Sequence, residues 1–209
     1  MKRTIYTSMV LLALLLVNSR IHAQQQTGIL GIDYRYSLPL GSSQEMLGRH
    51  SANGIGASLL FPLNGQWYLG GETGFQDYYI KYPRDVYNID KDNQISAVLT
   101  NSVQVLPLML KGVYAPSLGH SAVKPYLSLA AGAAMVSSSQ FLGEFGNYGS
   151  DNIRFMARGG VGVAVPLGRK QSYGLNAGAD YSYLPYHLYG QDNLDSWGLH
   201  AGFYFYLGK

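Results

Sequence analysis

Eight titratable side chains stand apart in a chain that is otherwise poor in charge: Asp33, Arg35, Glu72, Lys111, Arg154, Arg158, Asp180 and His200. Each lies in a stretch where apolar residues alternate with small ones. Gathered in one enclosed space, groups of opposite sign neutralise each other as an ion-pair and hydrogen-bond plug, because a buried charge is tolerated only when it is paired. The same set would also suit a gated pore. Histidine is the usual residue of proton-coupled switches, so His200 would suit one. The plug is the expectation adopted here.

Other combinations are weaker. Ser196, His200 and Asp180 have the residue types of a hydrolase triad, but Ser196 and His200 share an extended segment. Four residues at ~3.3 Å each put them too far apart for a nucleophile–base hydrogen bond. Asp85, Asp90, Asp92 and Asn93 lack the glycine and distal glutamate of a calcium loop, so a solvated loop is expected. With no cysteine in the chain, thiolate metal sites and disulfides are out. No metal, no cofactor and no catalytic residue is expected. The glycine runs read as close-packing positions, since no helix follows to cradle a phosphate.

The elements that must hold these groups are strands. In Trp197–Leu207 one parity carries Trp197, Leu199, Ala201, Phe203, Phe205 and Leu207, and the other carries Gly198, His200, Gly202, Tyr204 and Tyr206. Successive strand side chains point to opposite faces, so one face is greasy and the other small or hydrogen-bonding. The same alternation recurs over about 28–38, 54–61, from 67 onward, 97–114, 125–136, 153–165 and from 173 onward. In the first of these, a slip by one residue would turn Asp33 and Arg35 to the greasy side, which fixes the register. Within 97–114, Pro107 lacks a ladder donor and suggests a bulge. Connections at 62–66, 115–124 and 167–172 are mostly short, whereas 41–53, 82–94, 137–152 and 184–195 read as longer loops.

Eight strands with alternating short and long connections predict an all-β fold: an eight-stranded antiparallel transmembrane β-barrel, an up-and-down meander closed by pairing of the last strand with the first. Arg35, Asp180 and His200 then sit at similar heights on adjacent strands. Side-chain volume decides which face looks inward. An eight-stranded interior barely holds side chains, so the glycine- and serine-rich parity belongs inside, and an inside-out soluble barrel is disfavoured. Tyr34, Tyr36, Tyr181 and Tyr183 mark one aromatic girdle; Phe61, Trp67, Tyr173 and Phe205 mark the other. The loop tyrosines Tyr87, Tyr148, Tyr186 and Tyr189 are read as ordinary loop packing, with contact to a partner or sugar as the alternative.

The N-terminus and composition fit this picture. Lys2 and Arg3, the apolar run Met9–Val17 and the small residue Ala23 form an export signal over 1–23, leaving 24–209 as a single barrel domain. Three of the 15 basic residues lie in that signal and none of the 12 acidic ones does, so the mature part balances at 12 against 12. The basic balance of the whole chain therefore gives no reason to expect a nucleic-acid partner. Charged residues make up 13%, about half of a soluble average near 25%, beside 26 glycines and 18 tyrosines. After residue 23 no apolar run is long enough for a spanning helix, and a closed barrel is the other way to satisfy every backbone amide in hydrocarbon.

Leu106–Lys111 (LPLMLK), Lys124–Leu127 (KPYL) and Gly160–Val163 (GVGV) resemble the Bacteroidota outer-membrane β-barrel family that includes PorT-type proteins and small OmpA- and OmpX-like barrels. The resemblance spans about 27–209. It implies a cell outer-membrane location, a structural or partner-binding role, outer-membrane lipid as surroundings, and envelope or secretion-complex proteins as partners. The closing strand also resembles the assembly signal of outer-membrane proteins, with His200, Gly202, Phe205 and Leu207 in its places. That implies handling by the barrel-assembly machinery, although Gly208–Lys209 extend past the usual end. Barrel lipid A deacylases resemble one another in a His-any-Ser motif, which follows none of His22, His50, His120, His187 and His200.

Overall fold

A computed structural model describes residues 28–41, 44, 47–88, 94–116, 122–142, 145–148, 151–167, 172–188 and 191–207. The proposed export signal, Asp90, Asp92, Asn93, His120 and Tyr189 lie outside them. The long strands are β1 (Ile29–Pro39), β2 (Ser51–Asn64), β3 (Trp67–Asn88), β4 (Gln94–Tyr114) and β5 (Lys124–Leu142). A short β6 (Phe145–Tyr148) precedes β7 (Asn152–Leu167) and β8 (Tyr173–Tyr183). The two-residue β9 (His187–Leu188) and β10 (Gln191–Asp192) form a small ribbon before β11 (Ser196–Tyr206).

Alternation makes these strands and closure unites them. Hydrogen bonding runs β4-β3-β2-β1-β11-β8-β7-β5, and β4 also pairs with β5, so the eight long strands form a closed antiparallel meander. The seam between β1 and β11 is continuous from Ile29↔Tyr206 to Pro39↔Ser196. Closure leaves no barrel edge with unpaired backbone groups.

Orientation of the two faces follows volume. Large apolar side chains stand on the outside of every barrel strand, with Leu108, Leu110 and Leu129 exposed at 69%, 72% and 73%. The inward parity of β1 buries Asp33, Arg35 and Ser37, and that of β11 buries Ser196, His200 and Tyr204. A water-soluble barrel would show the reverse arrangement.

Several local features differ from the alternation-based expectation. Within the expected loop 82–94, residues 82–88 and 94 are strand, because β3 and β4 continue as one paired hairpin up to Asn88↔Gln94. Likewise β5 runs on to Leu142 and turns back through β6, so most of 137–148 is strand. A charged ribbon reads as a loop in sequence, but once it stands in water its strands need no apolar face. The bulge expected at Pro107 does not form. Register with β5 runs unbroken through Pro107↔Ala134, and the Pro107 carbonyl accepts a hydrogen bond from Thr73 Oγ1 at 2.9 Å. One missing donor costs a single ladder bond without forcing an extra residue. Irregularities fall instead at Arg35/Ser37, Pro62/Asn64 and Lys81/Arg84.

The interior has two layers. At the end bearing the longer connections, Tyr78, Val103, Val105, Met109, Ala134, Val136 and Met156 form an apolar cluster. Leu47, Leu184, Tyr186 and Leu194, from the adjoining connections, turn into it and are almost fully buried. Leu194 N donates to the Leu184 carbonyl at 2.8 Å, and Asp195 accepts from Leu184 N at 3.1 Å and from the Tyr181 hydroxyl at 3.0 Å. This end is capped by grease. The polar layer lies below it, toward the short turns.

Candidate functional site: the lumen ion network

Seven of the eight titratable residues meet in the polar layer. Glu72 on β3 is the hub. Its Oε2 accepts from Lys111 Nζ at 2.6 Å, while its Oε1 faces Arg35 Nη2 at 3.2 Å and is also bonded by Arg158 Nη1. Arg35 Nε bonds Asp33 Oδ2 at 2.7 Å, and its Nη1 is 4.0 Å from Asp180 Oδ2. Arg158 Nε lies 3.4 Å from Asp180 Oδ1 and donates to Ser182 Oγ at 2.9 Å. Three cations (Arg35, Lys111, Arg158) thus face three carboxylates (Asp33, Glu72, Asp180). With His200 neutral, the formal charges cancel.

His200 links this cluster to the opposite wall. Its Nδ1 is 2.9 Å from Asp180 Oδ2, and its Nε2 is 2.8 Å from the Tyr126 hydroxyl on β5. Strands β11 and β5 are separated by β8 and β7, so this bond crosses the lumen. With both ring nitrogens engaged, none is left for Ser196, which pairs in register with Ser182 and Pro39. The Ser–His–Asp combination is therefore not assembled.

Glycine explains how so many polar side chains fit into a narrow cylinder. Directly opposite the charged residues on neighbouring strands stand Gly54 (Arg35), Gly56 and Gly202 (Asp33), Gly70 (Lys111), Gly160 and Gly198 (Asp180), and Gly178 (His200). Cross-strand neighbours have Cβ atoms only ~5 Å apart, so each bare position lets a long side chain lie across it. A Cβ at Gly178 would come 2.8 Å from His200 Nε2, and one at Gly198 would come 2.6 Å from Asp180 Oδ1.

Arg154 does not belong to the network. It shares the inward parity of Arg158, but four residues at ~3.3 Å each carry it to the far end of β7. There it is exposed, with its guanidinium carbon 5.6 Å from the ring centre of Tyr186. That ring is itself 2% exposed, so Tyr186 packs within the cap, in line with the loop-packing expectation. Asp85 Oδ1 accepts from Val86 N at 2.7 Å, and the described residues hold no cluster able to bind a metal. Of the assembly-signal residues, His200 and Gly202 face inward, while Phe205 and Leu207 face outward at 41% and 44% exposure.

Sequence reasoning passed over Tyr126, Ser182 and the bond between Ser37 and Tyr78, whose oxygens are 2.8 Å apart. Parity placed Tyr126 inward; no sequence pattern marks it as the partner of His200, 74 positions away.

No protein-family model matches the chain, and no curated protein matches it in sequence. Solved structures do. Neisserial surface protein A superposes with a TM-score of 0.53 at 16% identity, covering 85% of this chain and 96% of that one. The outer membrane protein OprG from Pseudomonas aeruginosa gives 0.51 at 12%, covering 88% and 97%. A major outer membrane protein from Thermus thermophilus gives 0.50 at 12%, covering 86% and 99%. At these identities the likeness is one of fold: this chain has the closed barrel architecture of small outer-membrane proteins.

Proposed function

We propose that residues 24–209 form an integral, non-enzymatic protein of a Gram-negative outer membrane, exported by a cleaved signal over 1–23, with a structural or partner-binding role and a closed lumen. The observation that carries this reading is the inversion of the barrel: bulky apolar side chains outside every strand, balanced charges inside. Hydrocarbon demands the first, and pairing makes the second tolerable. By the usual arrangement of such barrels, the short turns and both mature termini face the periplasm and the longer connections face outward.

A partner-binding role is favoured by the length of the outer hairpins. β3 has 22 residues and β4 has 21, against ~9–11 needed to cross a bilayer, so this ribbon stands well clear of the membrane. The narrower reading, an accessory of a Bacteroidota secretion or envelope machine of PorT type, rests on the sequence resemblance alone. Insertion is assigned to the barrel-assembly machinery reading the closing strand, with His200, Gly202, Phe205 and Leu207 as its signal.

Two experiments test the proposal. Liposomes carrying the protein should swell in small sugars no faster than empty vesicles; clear permeation would replace the closed lumen with a pore. Purification in mild detergent should yield either a lone barrel, supporting the structural role, or stoichiometric envelope proteins, supporting the accessory role. Altered acylation of lipid A in cells carrying the protein would overturn the non-enzymatic reading.

A further inference from the structure

Between the ion network and the apolar cap the lumen holds a small chamber of about 40 Å³. Arg35, Arg158 and Asp180 border it from the network, Ser182 and Ser196 from the wall, and Leu184 and Leu194 from the cap. A buried water needs about 10–15 Å³, so the space takes about three waters, or one atomic ion with a water. It is too small for a polyatomic anion such as sulfate.

Donors in this space are left over. Arg35 directs Nε to Asp33 and Nη2 to Glu72, and its Nη1 comes no nearer to Asp180 than 4.0 Å. Arg158 directs Nε to Ser182 and Nη1 to Glu72. Arg35 Nη1 and Arg158 Nη2 therefore donate no hydrogen bond among the described residues, although the two side chains are only 10% and 13% exposed. Neither nitrogen is sealed away from open space, as Ser138 Oγ is. Ser182 Oγ, which accepts from Arg158, still has its own proton to give. Buried donors of this kind call for an acceptor, and an ionised one bonds them about twice as strongly as a neutral one.

Charge decides when that acceptor can be an ion. With His200 neutral, three cations balance three carboxylates, and an added anion would be uncompensated. A proton on His200 makes four against three, and a buried excess charge is costly unless it is paired. His200 Nδ1 lies 2.9 Å from Asp180 Oδ2, so this proton offsets the one carboxylate that borders the chamber. The other titratable groups around His200 are Tyr126 on β5 and Asp33 and Arg35 on β1, with Glu72, Lys111 and Arg158 completing the cluster.

We propose that the chamber binds one halide ion, such as chloride, in step with a proton on His200. The ion accepts from Arg35 Nη1, Arg158 Nη2 and the Ser182 hydroxyl, and one proton and one anion together leave the cluster neutral. The inference goes beyond the membrane reading and does not depend on which end faces the periplasm.

The test uses the 15N-labelled barrel, refolded in detergent micelles in chloride, bromide, gluconate or sulfate. At the acid end of the His200 titration, chloride and bromide should give saturable amide shifts centred on Ser37, Ser182 and Ser196. Gluconate and sulfate, too large for the chamber, should give none. Halide affinity should fall about tenfold per pH unit above that titration, as one linked proton requires. Reciprocally, the His200 ring signals should titrate at higher pH in chloride than in gluconate. This comparison needs no variant, so it stands even where a substitution harms the fold. His200→Gln should weaken halide binding by more than tenfold. Ser196→Val, which narrows the chamber and touches no ion pair, should abolish it with amide dispersion retained. No saturable shift with chloride, an equal response to gluconate or sulfate, a His200 titration indifferent to chloride, or an unchanged affinity in either variant would each overturn the proposal.

Discussion

Arg35 Nη2 on β1 reaches to 3.2 Å from Glu72 Oε1 on β3, passing over the intervening strand β2. It can do so because β2 is bare there: a Cβ at Gly56 would come 2.5 Å from Asp33 Oδ2, the partner of Arg35. Glu72 is only 2% exposed and serves Lys111 and Arg158 as well, so one carboxylate holds three cations from three other strands. Replacing it by alanine takes from Lys111 its carboxylate partner among the described residues and leaves Arg35 and Arg158 to Asp33 and Asp180. Removing one partner of a buried ion pair typically costs about 3–5 kcal/mol. Urea unfolding in lipid vesicles should show Glu72→Ala destabilised by that order, with Glu72→Gln, which keeps an acceptor oxygen, in between.

The two arginines of β7 should behave differently. Arg158 bonds Glu72, Asp180 and Ser182 in the lumen. Arg154 meets only solvent and the Tyr186 ring among the contacts described. Arg158→Ala should therefore cost several times more than Arg154→Ala, for which an exposed cation–π contact suggests about 0.5–1 kcal/mol. Equal losses in the same unfolding assay would contradict the placement of Arg154 outside the network.

A glycine can be as exacting as a charge in this barrel. The His200 ring lies against Gly178, where even a methyl group would sit 2.8 Å from Nε2. Gly178→Val should displace the imidazole from Asp180 and Tyr126 and destabilise by about 1–3 kcal/mol, as overpacking does. In the NMR spectrum of the variant, the His200 ring signals should lose the shifts that mark both hydrogen bonds. The same substitution at Gly65, whose Cβ would meet nothing within 4 Å, is the control.

How much of this was legible in the chain depends on which physical signal was present. Strand parity is a strong signal wherever one face meets grease and the other a crowded lumen. The closing strand read at 197–207 spans 196–206, and the first, read at 28–38, spans 29–39. Parity also separates lumen from exterior for Asp33, Arg35, Glu72, Lys111, Arg158, Asp180 and His200. It carries no information on height, which is why Arg154 went with Arg158. It fails again beyond the barrel rim, where β3 and β4 pair in a charged ribbon with no face to bury. The apolar cap was hidden for a different reason. Leu47, Leu184, Tyr186 and Leu194 sit in connections whose few apolar residues keep no strand or helix spacing, so no period marks them as buried. The cross-lumen bond from His200 to Tyr126 depends on the curvature of a closed sheet, which no local pattern encodes.

The central claim is that the bulky face of this barrel lies against hydrocarbon, and the two tryptophans report on it directly. Trp67, at the turn end, packs beside Tyr114 with ring centres 4.8 Å apart; Trp197, at the other end, packs beside Tyr181 at 5.4 Å. Both face outward, exposed at 50% and 51%, and they are the only tryptophans in the chain. As members of opposite aromatic girdles they belong at the two interfaces. In phospholipid vesicles, fluorescence from the refolded protein should be quenched by brominated lipids, more strongly by bromines placed shallow in the acyl chain than deep, and be largely shielded from aqueous iodide. Free quenching by iodide with no response to brominated lipid would contradict the account.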